Sequence, residues 1–222
     1  MHPETPLLVK NLIANLRPTG WYDLLKVFLV SSDFSDIVDQ LVDQVKDDVR
    51  FTPPLKQVFA PFQHCPLDSL EVVILAQGPY QRLGIADGLA LSSSSTETPE
   101  ELQRILDAIQ LEFEHKSTGK PSLKRWAQQG VLLLNQSLTT QLDREAKHLE
   151  LWNPFFRYLL DRLPHRNERT PWVLYGRPTW PLLEEFKHVR HVFLADDAKH
   201  LAQTLRLVNT DLHDQGRPLI KW

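Results

Sequence analysis

Four short runs constrain this chain more than anything else in it: EVVILA at 71–76, GVLLLN at 130–135, PWVLYG at 171–176 and HVFLAD at 191–196. Each is apolar throughout instead of alternating, the pattern of a strand covered by protein on both faces. Segments with helical spacing separate them. TETPEELQRILDAIQLEF opens on Pro-Glu-Glu, which suits the positive end of a helix macrodipole. LWNPFFRYLLDRL carries a broad apolar face from Leu151 to Leu163, which reads as helix packed on a core. Apolar strands alternating with helices predict a three-layer α/β/α fold around a four-stranded parallel sheet. Ahead of the first strand, residues 5–16 and 21–50 read as mostly helical, with Ser35 placed to cap the second helix of the latter stretch. TPP at 52–54 breaks that pattern, and LKQVFAPF reads as one more short helix.

No repeat, low-complexity tract or linker interrupts the 222 residues, so one domain over 1–222 is expected. The chain is 42% hydrophobic and 24% charged, ordinary for a globular protein. No stretch has the apolar length of a membrane span, and the N-terminus lacks the basic-then-apolar order of a secretory signal. A cytoplasmic location and no membrane partner are the expectation. Cys65 is the one cysteine, which excludes an internal disulfide and any multi-cysteine metal site. His148, His188, His191 and His200 come without a carboxylate or cysteine pattern, so neither a metal nor a cofactor is expected. A net charge of −3 does not favour tight nonspecific binding to polyanions but leaves room for a local basic patch.

In open parallel sheets ligands bind beyond the carboxyl ends of the strands. The polar residues there are Gln77-Gly78-Pro79-Tyr80-Gln81, Asn135-Gln136-Ser137, Gly176-Arg177 and Asp196-Asp197. Around them the chain resembles family 1 uracil-DNA glycosylases over nearly its whole length. TPPLKQVFAPFQHCPLDSLEVVILAQGPYQ is similar to the family segment leading into GQDPYH. LKRWAQQGVLLLNQSLTT is similar to its Trp-Ala-x-Gln-Gly-Val-Leu-Leu-Leu-Asn segment. GIADGLALS, WVLYG and NTDLHDQGRPLIKW match further segments in order.

The resemblance implies a pocket for a flipped base, because a glycosidic bond cannot be reached inside a stacked duplex. In the family an Asp of GQDPYH orients water, a late His stabilises the departing base, an Asn reads the base and an aromatic residue stacks on it. The Tyr of that motif guards the position where thymine carries its methyl group. Gln77, Pro79, Tyr80 and Asn135 stand where the family has the same residues. Gly78 replaces the Asp, Gln81 the motif's His, and Leu91 the stacking aromatic. Asp197 falls at the catalytic His, and the segment before NTDL is several residues shorter than in the family.

The base-binding candidates are therefore Gln77, Gly78, Tyr80, Gln81, Leu91 and Asn135. Asn135 offers a donor and an acceptor to a base edge; it would also serve to satisfy backbone at a strand end. Tyr80 either guards the pocket or packs under its loop. Asp197 and Asp87 are the candidates for a relocated catalytic carboxylate; the alternatives are a solvated loop residue and a turn Asp before glycine. Lys120, Lys124, Arg125 and His200 are candidates for contacting DNA phosphates, with a solvated helix face as the other reading. Two functions follow. The first is a DNA glycosylase that acts poorly on uracil and excises a modified pyrimidine, such as a hydroxymethylated or glycosylated base of bacteriophage DNA, which would suit an anti-phage role. The second is an inactive relative serving as a DNA- or protein-binding scaffold, with a protein as partner.

Overall fold

The computed structural model describes residues 7–114, 121–166, 168–187 and 189–222. Its centre is a parallel sheet of β2 (Val72–Ala76), β3 (Val131–Asn135), β5 (Trp172–Tyr175) and β6 (Val192–Ala195), in the order β3-β2-β5-β6. These are the four apolar runs of the sequence. Every residue of β2 and β3 is buried, so both faces of the sheet are covered there. The edge strand β6 departs from that expectation: Leu194 is 39% exposed, because an edge strand has a neighbour on one side only.

The flanking helices come from the expected segments. α5 (Glu100–Phe113) packs with α9 (Ala198–Asp214), and α9 also packs on β6. α3 (Ser32–Lys46) packs with α7 (Leu149–Leu160), whose Trp152, Phe155 and Phe156 are buried. The Phe155 ring meets Phe62 of α4 (Ala60–His64) edge-on at 5.9 Å between centroids, a favourable aromatic geometry. The apolar stripe of α7 is thus core.

Two details differ from the sequence reading. The cap of α3 is Ser31, whose hydroxyl accepts from the Phe34 amide; Ser35 lies within the helix and donates to the Ser31 carbonyl. Ser31 wins because its extended backbone aims the side chain at the first free amides, as an N-cap requires. A small antiparallel pair, β1 (Phe51–Thr52) with β4 (Thr140–Gln141), was not anticipated. Strands of two residues leave no periodicity to read.

From β2 the chain crosses to β3 on one side and returns from β3 to β5 on the other. The connections leaving β2 and β5 therefore diverge, and a crevice opens between the carboxyl ends of these strands.

Candidate active site

That crevice holds a cavity of about 270 Å³. One wall is the segment after β2, Gln77 to Gln81; the opposite wall is Tyr175, Gly176 and Pro178 at the end of β5. Leu89 and Leu91 add an apolar side, and Glu101, Glu145 and Ala146 complete the rim. The β2 segment is fixed by backbone bonds. The Gln136 amide donates to the Ala76 carbonyl at 2.8 Å, the Ser137 amide to Gln77 at 3.0 Å, and the Asp143 amide to Gln81 at 3.2 Å. Pro79 restricts the same segment further.

A β-carbon built on Gly78 would approach only the Ser137 side chain, at 4.0 Å. A β-carbon fits at that position, so crowding at Cβ does not dictate the glycine. What the glycine does is leave the wall bare. The Tyr80 hydroxyl donates to the Leu91 carbonyl at 3.1 Å, which pins the ring as a partition at one end of the cavity. Burial pushes its phenol well above the ordinary tyrosine range and keeps it neutral. Leu91 itself has φ +63°, in the left-handed region that a branched side chain rarely adopts.

Asn135 ends β3 directly opposite Ala76, whose residue lines the cavity. It is 1% exposed, and its Oδ1 has no hydrogen-bond partner among the described residues. A buried acceptor left open is costly, on the order of 1–3 kcal/mol. Strand-end backbone does not absorb this side-chain oxygen.

Comparison with known proteins places this geometry. No protein-family model matches the sequence. The chain is 34% identical over 167 residues to the uracil-DNA glycosylase of Streptococcus suis, covering 72% of this chain and 74% of that protein. It is 32% identical over 159 residues to the uracil-DNA glycosylase of Acinetobacter baylyi, 71% of this chain and 67% of that one. In structure it is similar to mimivirus uracil-DNA glycosylase, with TM-score 0.86 at 20% identity over 100% of this chain and 91% of that chain. The enzyme of Nitratifractor salsuginis is similar with TM-score 0.55 at 16% identity, over 91% and 98%.

This chain belongs to the uracil-DNA glycosylase family.

Against the glycosylase family pattern, the cavity gathers five of the six base-binding candidates, Gln77, Gly78, Tyr80, Gln81 and Leu91, with Asn135 on the neighbouring strand in register with Ala76 of the lining. It does not gather the two candidate carboxylates. Asp87 is 3% exposed and closes its own turn: one oxygen accepts from the Leu89 amide at 3.2 Å, the other from the Ser92 hydroxyl at 2.7 Å. The Ser92 hydroxyl in turn accepts from the Leu123 amide at 2.9 Å, so Asp87 anchors a buried junction. Asp197 caps α9, accepting from the His200 amide at 2.8 Å, with its side chain 60% exposed. Neither is among the described residues that line the cavity. Both Asp87 oxygens are held by its own turn, whereas Asp197 has one oxygen on the His200 amide and a largely exposed side chain.

The carboxylates on the cavity wall are Glu101, in the first turn of α5, and Glu145. Sequence reading had assigned Glu101 only to the helix dipole. Tyr175, read only as the end of a strand, donates its hydroxyl to Glu101 Oε1 at 3.2 Å. Glu101 is open to solvent on the cavity side. Crowding by protein elsewhere lifts its carboxyl above the ordinary range, with nearby Glu145 adding to the lift and the Tyr175 bond opposing it.

The phosphate-contact candidates scatter. Lys124 begins α6 (Lys124–Ala127) and is exposed; the Arg125 guanidinium donates to the Ser122 carbonyl at 3.3 Å and lies 5.5 Å from the Trp126 ring centre. Lys120 lies outside the described residues. His200 pairs with Asp196, which also holds Arg177 at 3.3 Å; this pairing raises the His200 pKa. The ligand atoms of Asp196, Asp197 and His200 come within 4.8 Å of one another, but all three side chains sit at the start of α9 and outside the cavity. Among the described residues, no helix is long and apolar enough to cross a membrane.

Proposed function

We propose that this DNA glycosylase takes an extruded pyrimidine bulkier than uracil into the cavity at the carboxyl ends of β2 and β5, and hydrolyses its N-glycosidic bond. The water oxygen bonds to the sugar carbon as the carbon–nitrogen bond breaks. The base leaves with the bonding electrons and regains a proton, and an abasic site remains. Extrusion brings the bond out of the stack, where a side chain can reach it.

The observation that carries this reading is the space at Gly78. The backbone there tolerates a side chain, yet the wall is bare, and Leu91 presents less bulk than an aromatic ring. Both residues leave space in the site, which Gln77 and Gln81 line, with Asn135 on the neighbouring strand opposite Ala76 of the lining. The buried Asn135 oxygen, unpaired among the described residues and opposite Ala76 of the cavity lining, supports a polar ligand at this end of the sheet over a scaffold.

The same geometry argues against efficient uracil excision. Position 78 has no carboxylate to orient water, and no imidazole stands on the cavity wall among the described residues. Losses of positioned groups cost on the order of 10²–10⁴-fold each. A cation-like sugar is stabilised by nearby negative charge, and Glu101 is the wall carboxylate held in place by a hydrogen bond.

The test is a panel of duplexes carrying uracil, thymine, hydroxymethylated and glycosylated pyrimidines, with abasic sites detected by alkaline cleavage and the released base identified by mass. Release of a bulky base in preference to uracil supports the proposal. Uracil release at the rate of an ordinary family member, or release of nothing, contradicts it.

A further inference from the structure

Beyond Tyr80 the cavity adjoins a second, more open space of about 480 Å³. The two share one boundary, formed by Tyr80, Gln81 and Glu101. Arg82, Ile85, Glu97, Thr98 and Asp143 line the far side. We propose that the boundary residue Gln81 reads a substituent on the base, and that this substituent is an uncharged, hydroxyl-rich group such as a sugar, seated in the groove beyond. The inference rests on the reading that the inner cavity holds the base.

Position supports the assignment first. Tyr80 is pinned by its bond to the Leu91 carbonyl, and Glu101 by the bond from Tyr175. The boundary is thus held from both ends, and Gln81 lies between a fixed ring and a fixed carboxylate. Its backbone carbonyl accepts from the Asp143 amide, which ties the groove wall to the same segment. A group projecting from a base in the inner cavity reaches the groove past Gln81 and Glu101 once the Tyr80 ring turns off the Leu91 carbonyl.

Chemistry supports it second. The groove has acceptor oxygens on Glu97, Thr98, Glu100, Glu101 and Asp143, and Arg82 as its cation. Hydroxyls donate to carboxylates and accept from amides and guanidinium, so a sugar matches this set. Phosphates would be repelled by it, so the groove is not a path for the DNA backbone. Thr98 and Pro99, just ahead of α5, and Glu100 and Glu101 in its first turn tie one side of the groove to that helix.

The experiment compares single-turnover excision and equilibrium binding on duplexes carrying 5-hydroxymethylcytosine, its glucosylated form and an aminoalkyl pyrimidine. The wild-type protein is tested beside Thr98→Trp, which fills the groove, and Gln81→Ala, which opens the boundary. Thermal unfolding confirms that each variant is folded. The expected result is a wild-type preference for the glucosylated base, reduced by roughly 10-fold or more in both variants. A preference that survives in both variants, or equal handling of the first two bases, overturns the subsite and leaves the wide-pocket reading standing. A preference for the aminoalkyl base overturns the assignment to an uncharged group. If no modified base is released or bound above a plain duplex, the wide-pocket reading fails and the subsite fails with it.

Discussion

At the carboxyl end of β2 the polar groups face a cavity; at the carboxyl end of β6 they satisfy one another. The first region holds Gln77, Gly78, Tyr80 and Gln81 around open space, with the Asn135 oxygen unpaired behind them. In the second, Asp197 caps α9, while Asp196 is bound to both His200 and Arg177. Both segments follow parallel strands at the same edge of the sheet, and the family resemblance assigns catalytic positions to each. Hydrogen-bond satisfaction separates them. A polar group whose bonds are met by its own loop is explained by the fold, whereas one whose bonds are left open needs a ligand to explain it. Asp87 belongs with the first kind; Glu101 is open to solvent and is set apart by its place on the cavity wall.

The sharpest way to break this contrast is Glu101→Gln. It keeps the shape of the wall and removes the charge, and should lower excision of the preferred base by about 10²–10⁴-fold in single-turnover assays. An unchanged rate would remove Glu101 from the chemistry.

Asp87→Asn should act on the fold instead. An amide can accept one of the two turn bonds but not both, so stability should fall by about 1–3 kcal/mol in urea denaturation. Excision by the folded protein should be retained; a 100-fold rate loss without loss of stability would return Asp87 to the active site.

Asp197→Ala should cost about 0.5–2 kcal/mol through the lost cap, while Asp197→Asn, an equally good cap, should be close to neutral in both stability and rate. A large rate loss in the Asn variant would mean that the β6 loop takes part in catalysis.

The finest test is the acid limb of the rate profile. Burial places the Glu101 carboxyl above the ordinary range, and the ionised form is the one that faces the sugar. Excision should therefore decline with falling pH earlier than for an ordinary glutamate, and Gln at 101 should abolish that limb. The same raised pKa means that ionised Glu101 opposes folding: its contribution to stability is present below the unfolded-state pKa and is lost as pH rises through the folded one.

The sheet was legible because its strands are buried on both faces, which leaves uninterrupted apolar runs such as VVILA and VLLLN. The cap of α3 was misplaced by four residues because Ser31 and Ser35 offer the same chemistry and only backbone direction separates them. The β2 loop was legible because it follows such a run directly. Glu101 was not: its partner Tyr175 lies 74 residues away, each has an adequate local reason to be present, and only the crossing of the chain brings them together. The roles of Asp87 and Asp197 were undecidable from sequence for the converse reason. A turn, a cap and a catalytic carboxylate all call for the same side chain, and the distinction lies in where its oxygens point.

We propose that this member of the family has exchanged uracil chemistry for a larger base. The most direct measurement is the ratio of single-turnover rates of the wild-type protein on two duplexes identical except for uracil or glucosylated hydroxymethylcytosine at one position. Gly78→Asp, whose β-carbon meets only the Ser137 side chain at 4.0 Å, serves as the companion. The account predicts a ratio strongly favouring the glucosylated base in the wild type, and no rescue of uracil excision by Gly78→Asp alone. A wild-type ratio favouring uracil would contradict it.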